Sequence, residues 1–180
     1  ISLELENQLH SVVNDISYQV TTNATILNEE IIEFLKDHKI EVTCSLDGTK
    51  ETHDSIRVFE ENKGSYDIAM KNSLKLLALY PDLRVRMTVR STEVENLSKN
   101  IIYLVEKGFN LIVPVLDFYD KNWNEEKFEI IKEEIKKVKI YVRNKDVTIS
   151  LLEPLSIKKK SLCQGGIQTC LLYTSDAADE

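Results

Sequence analysis

Three cysteines in 180 residues, at positions 44, 163 and 170, are too few and too scattered for a disulfide scaffold. No apolar run reaches the length of a membrane span, and no stretch at the start reads as a secretory leader. A cytoplasmic protein that does not enter a membrane is therefore expected. Positive charge is also short: 23 Lys and Arg stand against 30 Asp and Glu, a net charge of −7. That balance, with a pI near 5.1, disfavours a nucleic-acid partner. Hydrophobic residues at 42% and charged residues at 29% describe an ordinary globular chain, long enough to bury a core.

What is present is a strand, a polar turn, a helix, and the same again. Val20-Thr21-Thr22-Asn23 ends a first strand over residues 16–22. Asn28 is placed to cap a helix whose first turn carries Glu29 and Glu30, where anions favour the positive helix end. Ile31, Ile32, Phe34 and Leu35 supply that helix with an apolar stripe. Residues 40–46 alternate at period two and stop at Asp47-Gly48, a turn pair. A long polar segment, 47–64, reads as a loop of the kind that is functional or mobile.

Further on, the spacing predicts a helix over 65–80 that buries Ile68, Leu74, Leu76 and Leu77 and ends at Pro81. Strands follow at 83–89 and 111–116, separated by a helix over 93–107 with Gly108 as its C-terminal cap. Pro114 points to an edge or irregular position in the second of these strands. A long charged helix spans 124–144, and 147–152 is a candidate strand. A weaker helical spacing runs over 3–13. Strands alternating with helices mean parallel strands joined by crossovers, in either a barrel or a doubly wound sheet.

Polar residues gather at the strand ends, where parallel α/β proteins place ligands. Asn23 follows the first strand, and its amide both donates and accepts. Thr43, Ser45 and Asp47 share one face of the second strand, opposite Val42, Cys44 and Leu46. Strands of this class are normally apolar on both faces, so the polar face points to a polar ligand. Arg84, Arg86, Thr88 and Arg90 likewise share a face of the third strand, a cationic wall for carboxylates if it points inward. His53, Asp54 and Arg57 sit in the polar segment. The adjacent His and Asp point different ways and more often organise a loop than act together. The arginine fork suits a carboxylate, the alternative being a surface salt bridge with Asp54 or Glu51. Asp117 and Tyr119 could line the same mouth. Cys44, on an apolar strand face, reads as a packed core thiol.

These residues resemble a known family. The run TTNAT at 21–25 with EII and FL behind it, SLDG at 45–48 followed by Glu51, His53-Asp54 and Arg57, and KGSYD at 63–67 with Ala69 and Asn72, is similar to the middle of radical S-adenosylmethionine (SAM) enzymes. Within them it is closest to anaerobic sulfatase maturases and related peptide-modifying enzymes that carry a SPASM-type segment. The resemblance covers roughly residues 16–166.

It implies an α/β fold, a partial (β/α)6 radical SAM barrel truncated at its N-terminus, with strands three to six present. It implies a barrel over 1–152 and the start of a SPASM-type segment over 153–169. Residues 170–180 resemble the translation of a sequencing adapter and are read as a scar, the alternative being an ordinary frayed terminus. The cluster-binding CxxxCxxC loop and the GGE motif of the family do not occur in the 180 residues and are expected upstream of Ile1. By itself the chain is expected to be an inactive fragment.

The implied function is reductive cleavage of SAM by a 4Fe-4S cluster to a 5′-deoxyadenosyl radical, which modifies a protein or peptide side chain. An electron donor such as ferredoxin or flavodoxin would serve it. Asn23, Ser45, Asp47, Arg57, Thr88 and Arg90 are the implied SAM-binding residues, with Ser45 at the amino-acid end of SAM. Asp47 is equally readable as a turn residue. Cys163, before Gly165-Gly166, would begin the ligand set of an auxiliary iron–sulfur cluster. The competing reading is a non-catalytic doubly wound domain that binds a partner or small anion at the same strand edge.

Overall fold

Three asparagine or threonine caps set where the helices begin. In the computed structural model, which describes residues 17–152, Asn28 Oδ1 accepts the Ile31 N–H at 2.8 Å and starts helix α1 (Glu29–Asp37). Thr49 caps α2 (Lys50–Ile56), and Asn124 caps α5 (Glu125–Val142) through the Lys127 N–H. Each satisfies an amide that the first helical turn leaves without a partner. The helix expected at 3–13, Cys163 and the 170–180 tail lie outside the described residues.

Strands β1 (Gln19–Thr22), β2 (Glu41–Ser45), β3 (Arg84–Val89), β4 (Leu111–Leu116) and β5 (Thr148–Ile149) form one sheet. Every pairing is parallel and the spatial order is the sequence order. Helix α1 crosses from β1 to β2, α2 and α3 (Tyr66–Leu79) from β2 to β3, α4 (Leu97–Glu106) from β3 to β4, and α5 from β4 to β5. A doubly wound sheet would reverse this order at a switch point. No reversal occurs among the described strands, so the arrangement is that of one sector of a (β/α) barrel.

The two faces of the sheet differ sharply. Val42, Cys44, Leu46, Val85, Met87, Val89 and Ile112 are buried under the helices. On β3 the burial alternates strictly, and Arg84 and Arg86 on the other face are exposed. Gly108, at φ +97°, closes α4 as expected. A buried anion locks α4 to α5: Glu134 accepts the Ser98 N–H at 3.0 Å and its hydroxyl at 2.5 Å, in the first turn of α4. A carboxylate at a helix N-terminus is favourably placed.

Three local expectations are corrected. Segment 47–64 is not a loop: α2 occupies its middle, and Val58 pairs with Gly64 beyond it. The cap at Thr49 and the acidic residue at Glu51 are helix-start signals that the polar composition concealed. In α3 the sheet-facing stripe is Tyr66, Ala69, Met70, Ser73 and Leu76, whereas Ile68 and Leu74 are 42% and 38% exposed. Asn72 is buried as well, and its side-chain amide donates to the Ala24 carbonyl at 2.8 Å. Finally, the last candidate strand is two residues long and runs into a 3-10 turn, Ser150–Leu152.

Pro114 sits where a missing donor costs the sheet nothing. Asp117 donates its N–H to Val89 O, and Asn110 O accepts from Thr148 N–H. Odd-numbered residues of β4 therefore turn their amides to β3 and even-numbered ones to β5. Among the described residues β5 pairs only with Leu111 and Ile112, so Pro114 has no strand partner on that side.

Candidate functional site

The polar residues singled out in the sequence lie on the face away from the helices. Thr21, Thr43, Arg84 and Leu111 stand in one cross-strand row; Ser45, Arg86 and Val113 stand in the next. Asp47 and Thr88 follow at the C-terminal edge.

Asp47 is the centre of this edge, and it is fully buried. Its carboxylate accepts the Thr88 N–H at 2.7 Å, the Arg57 Nε–H at 2.5 Å and a second Arg57 N–H at 3.3 Å. Arg57 donates once more, to the Thr88 hydroxyl at 3.3 Å. The salt bridge of Arg57 is therefore made with Asp47, and not with Asp54 or Glu51. So Asp47, Arg57 and Thr88, three of the implied SAM-binding residues, form one ion-paired cluster. Within it the Asp47 carboxylate presents no surface of its own.

A second chain of hydrogen bonds supports the cluster from behind. The Asp47 N–H donates to His53 Nδ1 at 3.3 Å, which leaves the ring proton on Nε2. That proton goes to Ser65 Oγ, 3.1 Å away, and the Ser65 hydroxyl donates to the Arg57 carbonyl at 3.0 Å. Burial holds the imidazole below its usual pKa, against the pull of the Asp47 carboxylate, so the neutral tautomer that this chain requires is the favoured one. Asp54 turns the other way, to the Tyr66 N–H at 2.8 Å at the start of α3. The His-Asp pair thus points in two directions, as adjacent residues should. Ser65 had no sequence signal beyond its place in the KGSYD run.

Ser45 is 8% exposed, and its hydroxyl has no hydrogen-bond partner among the described residues. Asn23 is exposed; its Oδ1 accepts the Thr25 N–H at 3.1 Å and hydroxyl at 2.9 Å, which leaves the amide NH2 outward. The turn it shapes holds Ala24 at φ +57°, a conformation a non-glycine residue adopts only under constraint. Asn23 also lines an open cavity of about 610 Å³ with Val58, Phe59 and Lys63. Ser45 and Thr88 do not line that cavity, although all three residues lie on one face and toward one edge of the sheet. Arg90 faces Asp117 at 3.7 Å. Beyond it Phe118 and Tyr119 are 81% and 95% exposed, an aromatic pair at the mouth.

Asp120 ties the turns after β3 and β4 together. The Ser91 hydroxyl, with the backbone amides of Asn122 and Ser91, holds its carboxyl at a pKa of about 2. A depressed pKa means that the tie is complete above the ordinary value of 3.8 and is lost as pH falls through about 2. A carboxyl NMR titration is expected to give a midpoint near 2, and Ser91→Ala is expected to return it toward 3.8.

No group of three or more His, Cys, Asp or Glu side chains that could hold a metal occurs among the described residues. Cys44 is buried on the helix-facing side, where burial pushes its thiol up. An iron–sulfur cluster therefore does not fit the described residues. Nor is any helix of the described residues long and apolar enough to cross a membrane.

No family model matches the chain. It is 31% identical over 106 residues to a cysteine-type anaerobic sulfatase-maturating enzyme of Clostridium novyi (strain NT), which covers 57% of this chain and 28% of the relative. It superposes on polyhistidine-tagged anSMEcpe with bound AdoMet at a TM-score of 0.69, with 19% identity, over 82% of this chain and 43% of that one. Native anSMEcpe with bound AdoMet and Cp18Cys peptide matches at a TM-score of 0.68 and 20% identity, over 89% of this chain and 51% of that one. The chain thus spans about a quarter to a half of the length of these proteins. Sequence similarity over 57% of the chain and a shared fold over 82% of it set it beside the anaerobic sulfatase-maturating enzymes that its motifs resemble.

Proposed function

We propose that this chain forms the SAM-holding sector of an enzyme that modifies a protein or peptide side chain, in the manner of sulfatase maturation. The observation that carries the reading is the free Ser45 hydroxyl beside an ion-paired Arg57–Asp47 edge, in a fold whose solved neighbours carry AdoMet. The amino-acid end of SAM needs a cation for its carboxylate and polar partners for its amine. Ser45, the Asn23 amide, Thr88 and the guanidinium of Arg57 or Arg90 offer them on one face. Asp47 acts through Arg57, fixing where its fork points. SAM bound there would supply a 5′-deoxyadenosyl group, released as a radical only by one-electron reduction from a donor that the described residues do not hold.

This chain's own residues bind and orient. Arg57 presents its fork because Asp47 and Ser65 hold its two ends, and the exposed Phe118 and Tyr119 at the mouth suit a peptide, a ligand that one solved neighbour carries. Cys163 as an auxiliary cluster ligand, and ferredoxin or flavodoxin as electron donor, belong to the same reading. Cys163 lies outside the described residues.

The test is an NMR titration of the isotope-labelled chain with AdoMet. Shifts are expected at the amides of Asn23, Ser45, Thr88 and Arg90. Ser45→Ala is expected to raise the dissociation constant about fivefold, the worth of one hydrogen bond of about 1 kcal/mol. Shifts confined to the opposite strand edge, around Leu83 and Leu111, or an unchanged constant in Ser45→Ala, would overturn the assignment.

A further inference from the structure

β3 and the turn after it carry three arginines on the open face, and two of them have no counter-ion. Arg90 takes the Asp117 carboxylate, and the neighbouring Arg57 takes Asp47. Arg84 and Arg86 are exposed and make no ion pair or side-chain hydrogen bond among the described residues. Glu41, on the same face of β2, pairs with neither. In a chain of net charge −7, two adjacent unpaired guanidinium groups on one sheet face stand out.

Their surroundings repeat. Arg84 is in register with Thr43 and Arg86 with Ser45, and neither hydroxyl has a side-chain partner among the described residues. On the other side Arg84 faces Leu111 and Arg86 faces Val113, both half-buried. Each step of the face therefore offers one cation, one hydroxyl and one apolar contact. The step length is two strand residues, about 6.6 Å. An extended peptide repeats its own side chains on one side at the same interval. A compact anion would meet only one such step.

We propose that this face binds an extended acidic peptide segment, with Arg84 and Arg86 each taking one carboxylate of an acid-x-acid run. Arg90 on this face and the neighbouring Arg57 both hold carboxylates already, from the chain's own Asp117 and Asp47, so the ligand class is the one this edge takes elsewhere. Arginine forks suit carboxylates in pairs of hydrogen bonds. This names the class of peptide for the site proposed above. It rests on that reading only in calling the peptide a substrate.

The test uses the whole chain without AdoMet, so that its failure and the failure of the SAM reading are separate results. The probes are a fluorescent Gly-Glu-Val-Glu-Val-Gly peptide, its Gln-for-Glu version and a version with the two Glu adjacent, read by anisotropy. The Glu-x-Glu peptide is expected to bind about tenfold more tightly than either, and to weaken as salt rises from about 50 to about 300 mM. The double variant Arg84→Gln/Arg86→Gln is expected to remove that preference. Each single variant is expected to weaken binding by about threefold, so the result stands even if the double variant does not fold. Lys136→Gln, on the exposed face of α5, is expected to change nothing. Equal binding of the Glu and Gln peptides, or an unchanged constant in both single variants, overturns the proposal. So does a single-stranded oligonucleotide that binds as tightly as the Glu-x-Glu peptide.

Discussion

Gly48→Ala is expected to cost roughly 2–5 kcal/mol of unfolding free energy, summing the strain of a left-handed backbone and an overpacked core. Gly48 holds φ +106°, and an added Cβ would overlap the side chain of Asn100. Asn100 has little room to yield. It is 2% exposed, and its Oδ1 accepts the Thr49 N–H at 3.1 Å. Displacing it disturbs the cap of α2, and α2 carries His53 and leads into Arg57. Urea unfolding followed by circular dichroism measures the loss. Gly108→Ala is the control: it has φ +97° but only Leu77 in ordinary contact, so about 1–2 kcal/mol of backbone strain is expected there alone. Equal losses at the two positions would show that Asn100 gives way and that the Gly48 turn is not sterically closed.

Arg57→Ala comes next, at about 2–3 kcal/mol. It leaves the Asp47 carboxylate fully buried, with the Thr88 N–H as its remaining close donor. Removing one partner of a wholly buried pair costs about 3–5 kcal/mol; Arg57 keeps 27% of its side chain exposed, which lowers the figure. Asp47→Ala in the same background relieves the stranded charge. The double variant is therefore expected to lose less than the sum of the singles by about 1 kcal/mol or more. Additive losses in the cycle would mean that the two side chains are held independently. Hydrogen exchange at the Thr88 amide gives a local reading: it is expected to quicken in Asp47→Ala, where the acceptor is gone, and far less in Arg57→Ala.

Much of the site is legible in the sequence. The motif residues Asn23, Ser45, Asp47, Arg57 and Thr88 do lie at one edge, because most of them end a strand or follow one in a parallel sheet. Their partnerships are not legible. Nothing in the spacing of Asp47 and Arg57 says that they pair, since α2 must first form within a segment whose composition is that of a loop. His53, beside Asp54, reads as a residue that organises a loop. Its neutral, bridging role depends on Ser65, twelve residues away, being brought under it by the turn into α3.

The chain's periodicities alone determined the strand order, the helices other than α2, the cap at Asn28, and the split of β3 into an arginine face and an apolar face. Those are local matters of side-chain alternation and of amides left over at helix ends, and near neighbours in sequence settle them. Only the tertiary structure decided which face of α3 is buried, because Ala69, Asn72 and Ser73 are chosen by what the sheet and the Ala24 carbonyl present to them. It alone decided that Asp47 is an anchor with no exposed surface, and that Arg84 and Arg86 are left without counter-ions while Arg57 and Arg90 have them. Charge pairing is set by distances between segments far apart in sequence, and a one-dimensional pattern does not contain those distances.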